Sequence, residues 1–223
     1  MDAKAEPPYV LCIDVGNHKN VGWATSDGAC GTGADLDTAL DRVCAFVRAT
    51  GCAAIGFEAP IWTPARSNLM KLTGARGGVE KEHNRAWSAG AGCGALGAAL
   101  VLMPYCLSRI HTVAGAIRAT VDVDSFVMSG GLFIWEAFVS GTMKVAGATH
   151  HDDARMACDA FIRRWPHLTS DIPGESATNH AIASAIAAGL TVDAAELRQP
   201  ALVVGIAPQL GVDEAPLPTT TAN

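Results

Sequence analysis

The chain has 223 residues and a mass of 23.0 kDa, with 49% hydrophobic and 17% charged residues. That is enough for one globular core, slightly beyond the roughly 100–200 residues usual for one domain, and it excludes collagen-like, coiled-coil and disordered chains. Sixteen Lys+Arg against 22 Asp+Glu give a net charge of −6. This argues against a protein that clamps nucleic acid by bulk positive charge and leaves only a local basic patch for that role.

The seven cysteines form no C-x-x-C pair, and most lie in apolar runs. Reduced, buried thiols in a cytoplasmic protein are the expectation. The first residues, Met1 to Glu6, carry acids and no apolar core, unlike a secretory signal. Ala86 to Ser108 holds no charge and is long enough to cross a bilayer. Its Gly90, Gly92, Gly94, Gly97 and Pro104 point instead to a Gly-rich turn feeding a buried helix, with no membrane partner.

In chain order, residues 1–8 read as a loose leader, 9–206 as one domain and 207–223 as a flexible Pro/Thr-rich tail. Tyr9 to Ile13 is a continuous apolar run closed by Asp14, which suits a strand buried on both faces. Gly16-Asn17 begins a turn, Val21 to Thr25 returns as a second strand, and Asp27-Gly28 leads into a short third strand over Cys30 to Gly33. Leu36, Leu40, Val43 and Val47 lie on one face of a helix, with Asp35 or Asp37 as N-cap and Gly51 as its stop. Ala53 to Phe57 is another buried-strand run, closed by Glu58 and parallel to the first through a right-handed crossover.

From Ile61 to Ser88 the sequence turns polar and basic: Arg66, Lys71, Arg76, Lys81 and Arg85 face only Glu80 and Glu82. It reads as a long loop or flap. A helix over about Leu96 to Arg118, bent or broken at Pro104, precedes a strand from Leu132 to Phe138. Helices follow over about Asp152 to Trp165 and Ser176 to Leu190, and Ala201 to Ile206 adds an edge strand. This is an α/β chain: a mixed five-stranded sheet, with the Ala201 to Ile206 run added at its edge, flanked by helices and with a basic loop inserted.

Asp14 and Glu58 both end buried strands, where α/β sheets place their ligand crevice. Two acids at neighbouring strand ends repel unless a cation or proton lies between them, and a divalent ion bound by oxygens resolves the conflict. The plainer alternative makes Asp14 a turn residue and Glu58 a solvated side chain. The run from Gly92 to Gly97 fits G-x-G-x-x-G but follows no strand, so its dinucleotide context is missing. Glu80-x-x-His83 has no second pair to complete a di-iron site. Trp62 and Trp87 flank the basic segment and offer rings for stacking on bases.

The sequence Ile13-Asp14-Val15-Gly16 followed by Gly22-Trp23-Ala24, then Phe57-Glu58-Ala59-Pro60, resembles the ribonuclease-H-like superfamily. The likeness is to Holliday-junction resolvases and predicted ribonuclease-H-like nucleases. It extends to Phe133 to Ala137, similar to their fifth strand, and to the Ala-rich stretch 177–188, similar to their last helix. The resemblance implies a metal-dependent nuclease using Mg2+ or Mn2+, with Asp14 bridging two ions and Glu58 holding one. It also implies an acid on the last helix. The matching stretch offers only Glu175, Asn179 or His180, so Glu175 and His180 join the catalytic candidates, with His180 as a metal ligand.

His150-x-x-Asp153 is a rival ligand pair, similar to an H-x-x-D variant of the nuclease helix. Chain order argues against it, because its helix is the penultimate one. Nucleic acid is the expected partner, met by Arg66, Lys71, Arg76, Arg85 and Trp87, and a homodimer remains open. A scaffold that kept the fold without catalysis is the competing reading. An actin-like ATP-dependent phosphotransferase is less favoured, because the chain shows no repeat and is too short for two lobes.

Overall fold

Tyr9–Asp14 forms β1, and every one of its residues is buried. The computed structural model describes residues 6–16, 19–140 and 147–206. Residues 1–5 of the expected leader, Asn17 of the first turn and the expected tail at 207–223 lie outside the described residues.

Gly22–Thr25 (β2) and Cys30–Thr32 (β3) return antiparallel beside β1, as the turn signals require. Helix α1, Leu36–Thr50, buries Leu36, Leu40, Val43 and Val47 and stops at Gly51. Cys52–Glu58 (β4) then pairs parallel with β1.

The expected flap is more ordered than its polarity suggests. It contains Trp62–Pro64 (β5), a 3-10 turn at Leu69–Lys71 and a short helix, Gly78–Glu82 (α2). The following helix, α3, runs unbroken over Gly90–Ala114, with Pro104 inside it. Of the bend or break expected at Pro104, a break is ruled out by the continuous helix, and the glycine-rich run is itself helical. One face of α3, with Ala99, Met103, Cys106, Leu107 and Ile110, is buried, while Leu100, Val101 and Tyr105 are exposed. The helix is thus only half a core element, not the buried one expected. By length and composition it is also apolar enough to cross a membrane.

Ala119–Thr120 (β6), Val123–Ser129 (α4) and Gly131–Phe138 (β7) come next. His150–Arg164 forms α5, Ala177–Asn179 β8, His180–Ala187 α6 and Val203–Gly205 β9. The helix expected from Ser176 therefore begins at His180, because Ala177–Asn179 pairs with Trp62–Pro64 as a two-stranded ribbon.

The architecture is mixed α/β. The main sheet has seven strands rather than five, in the order β3-β2-β1-β4-β7, with β6 and β9 both on the outer edge of β7. All pairings from β1 onward are parallel; β2 and β3 supply the antiparallel edge. Of the two strands beyond those five, β9 lies within the edge strand expected over Ala201 to Ile206, and β6, two residues long, is too short for a periodic pattern to mark it. One hydrophobic core joins residues from Tyr9 to Ile206.

Candidate metal centre

Side chains alternate between the two faces of a strand. Phe133 and Trp135 of β7 pack on Phe161 of α5, and their register partners in β4 are Ala54 and Gly56. The alternation carries Glu58 to that same face. Glu58 in turn lies in register with Asp14 of β1, so both carboxylates stand beneath α5 at the carboxyl ends of neighbouring parallel strands.

The first turn of α5 supplies the third acid. Thr149 and Asp152 form a capping box, in which the Thr149 N–H and hydroxyl donate to Asp152 Oδ2 at 2.9 and 2.6 Å. Asp152 is spent on the cap. Asp153, one residue on, turns toward the sheet and is buried.

Gly22 sets how close this turn can come. A Cβ there would lie 2.3 Å from the His150 carbonyl carbon and 2.4 Å from the His151 nitrogen. Only glycine lets the start of α5 rest on β2, and this seats Asp153 over the strand ends.

Asp14, Glu58 and Asp153 each present an oxygen within 4.8 Å of the other two, and all three residues are buried. An ion bound at about 2.0–2.6 Å from each oxygen accommodates ligands at such a spacing. Three carboxylates in one buried site repel one another, and a hard cation removes that cost. An all-oxygen donor set of this kind fits magnesium, calcium or manganese. These residues could therefore hold a metal ion. His150 adds a hydrogen bond from its ring, Nδ1 to Asp14 Oδ2 at 2.6 Å, while the rest of its side chain is half exposed. The burial of Cys12 beside Asp14 and Glu58 pushes its thiol well above the ordinary range, desolvation being the main cause.

The residues expected from the last helix are engaged elsewhere. Glu175 accepts from Arg66 Nε at 2.8 Å, and this guanidinium holds its carboxyl below the ordinary range. His180 Nε2 lies 3.1 Å from the Thr63 hydroxyl, and burial pushes its pKa down. Asn179 caps α6 by accepting from Ile182 N–H. Neither Glu175 nor His180 joins the acidic group; Asp153 of the earlier helix takes that place.

The basic segment is also reassigned in part. Arg76 is buried, donates to Glu80 and Glu136, and lies 4.5 Å from the centre of the Trp62 ring. It clamps the segment to β7 and is no surface contact, and Trp62 beneath it is fully buried. Arg66 is spent on Glu175 and on the carbonyls of Lys71, Gly74 and Ala75. Lys71 is exposed. Arg85 donates to the Val139 carbonyl, and Trp87 Nε1 donates to the Gly74 carbonyl at 3.2 Å. Charge counting along a chain cannot distinguish a solvated cation from one already paired inside the fold.

No family model, curated protein or solved structure matches this chain.

Proposed function

We propose that the protein is a metal-dependent nuclease on a ribonuclease-H-like sheet, hydrolysing nucleic-acid phosphodiester bonds with Mg2+ or Mn2+ held by Asp14, Glu58 and Asp153. The observation that carries this reading is the buried group of three carboxylates gathered at the ends of β1 and β4 and the first turn of α5. The strand order β3-β2-β1-β4-β7, with an antiparallel first hairpin, supports the fold assignment.

A bound divalent ion supplies a water of lowered pKa and a Lewis acid for the phosphoryl oxygens. The chain's own part is to fix the oxygens that receive it. Asp14 and Glu58 are set by strand register, Asp153 by the capped start of α5. His150 is a positioning residue, holding one oxygen of Asp14 in place. A scaffold without catalysis would be favoured by the lack of a third acid; Asp153 supplies that carboxylate from an earlier helix.

The test is cleavage of single-stranded and branched oligonucleotides by the purified protein with manganese or magnesium. Cleavage that is absent in EDTA and lost in Asp14→Asn and Asp153→Asn supports the assignment. Equal cleavage by wild type and both variants refutes it.

A further inference from the structure

Helix α3 buries one side and leaves the other open. Ala99, Met103, Cys106 and Ile110 face the core. Gly94, Gly97, Val101, Tyr105 and Ser108 recur at three- and four-residue spacing on the opposite side and are exposed. Val101 is 75% exposed, Tyr105 49% and Leu100 beside them 47%. No charged residue stands between Ala86 and Ser108. A solvent-facing helix side ordinarily carries charged or polar residues, so this one has the composition of a contact surface.

The charge pattern narrows what can cover it. Nucleic acid is held chiefly by cations set against its phosphates, and a helix lying on a membrane is rich in Lys and Arg. This stretch has neither residue type. Two copies of the chain each carry a net charge of −6, and the uncharged stretch is where they approach with least like-charge repulsion.

The shape is self-complementary. In an antiparallel pair of α3 helices, a two-fold axis between Gly97 and Val101 sets Val101 of one copy opposite Gly97 of the other, and Tyr105 opposite Gly94. Symmetry makes each contact twice. Tyr105 is held for this by its hydroxyl, which donates to Asp37 Oδ1 at 2.5 Å. Within the subunit the two glycines serve no close approach, since a Cβ on either meets nothing within 4 Å. Glycine also weakens a helix relative to alanine, and helices packed 8–10 Å apart give both positions a use.

We propose that α3 is the docking surface for a second copy of this chain, paired antiparallel across Gly94, Gly97, Val101 and Tyr105. The helix has 25 residues, hence a length of about 37 Å, and a strip one helix diameter wide is roughly 400 Å2 per copy. That is half of the roughly 800 Å2 each partner gives to a stable complex. The dimer is therefore weak and reversible, and it populates only as concentration rises.

The test is sedimentation velocity on the full chain from about 1 to about 200 µM, a range that spans weak association. Wild type should shift from monomer toward dimer across that range. Val101→Glu, which sets an anion from each copy into the contact, should stay monomeric throughout. Gly97→Leu should also stay monomeric, because it fills the space that receives Val101. Its melting temperature at the lowest concentration should match or exceed that of wild type, since leucine favours the helix and the added Cβ meets nothing in the subunit.

Wild type that remains monomeric at the highest concentration, or a dimer retained by either variant, overturns the proposal. So does wild-type pelleting with phosphatidylcholine vesicles that Val101→Glu abolishes, which assigns the face to lipid.

Discussion

Asp14 and Glu58 are register partners across the parallel pair of β1 and β4. Forty-four positions apart in sequence, they end their strands at the same level and on the same face, so their carboxylates meet without any loop to position them. Asp153 descends on the pair from α5. Three buried carboxyl groups with oxygens within 4.8 Å of one another make the fold sensitive to a cation that binds them.

Divalent cations should therefore stabilise the protein. At 100 times its dissociation constant a ligand contributes about 2.7 kcal/mol, which for a chain of this size raises the melting temperature by about 5–10 °C. Differential scanning fluorimetry with and without manganese measures this. Asp153→Asn should lose the shift, and its metal-free form should melt above metal-free wild type because one repelling charge is gone.

His150→Ala should weaken metal affinity about 10- to 100-fold, the effect typical of removing a partner that orients a ligand. Isothermal titration calorimetry with manganese reads it. An unchanged affinity would show that the bond to Asp14 does no orienting.

Gly22→Ala places a methyl group against the His150 and His151 backbone. The start of α5 must then lift from β2, at about 1–3 kcal/mol of stability. Metal affinity should fall as well, since Asp153 moves with that turn. Gly28→Ala, where the added Cβ meets nothing within 4 Å, serves as the comparison: it loses stability through its positive φ yet keeps metal affinity.

Glu175→Gln and His180→Ala should leave metal affinity intact. Glu175 has its pKa lowered by Arg66 from an ordinary 4.5. A lowered carboxyl pKa contributes stability above the unfolded value and loses it as pH falls through the folded one. Wild type should thus exceed Glu175→Gln in stability at pH 7, by at most about 1 kcal/mol because the pair is part exposed. The difference should fade once pH drops below about 4.5. Urea denaturation at pH 7 and pH 3 checks the sign.

These expectations also show how far the sequence could be read. The long buried strands β1, β4 and β7 and helix α1 follow directly from apolar runs and 3.6-residue spacing, and both strand-end acids follow with them. Chain order argues against Asp153, whose helix comes early in the chain, yet the sheet edge is reached by whichever helix start packs on β2. Two local signals pointed there: Thr149-x-x-Asp152 as a capping box, which fixes the phase of α5, and Gly22, which lets that turn approach.

The short pieces β6 and β8 owe their structure to partners supplied by distant segments, and no local pattern marks them. The same is true of Arg66 and Arg76, whose charges are cancelled by Glu175, Glu80 and Glu136 only once the chain has folded.

The most direct test of the central claim is anomalous diffraction from crystals soaked in manganese, recorded at the manganese edge. The account predicts a peak bounded by carboxylate oxygens of Asp14, Glu58 and Asp153, and no such peak in Asp14→Asn crystals. A peak at Glu175 or His180 instead, or none at saturating manganese, would contradict it.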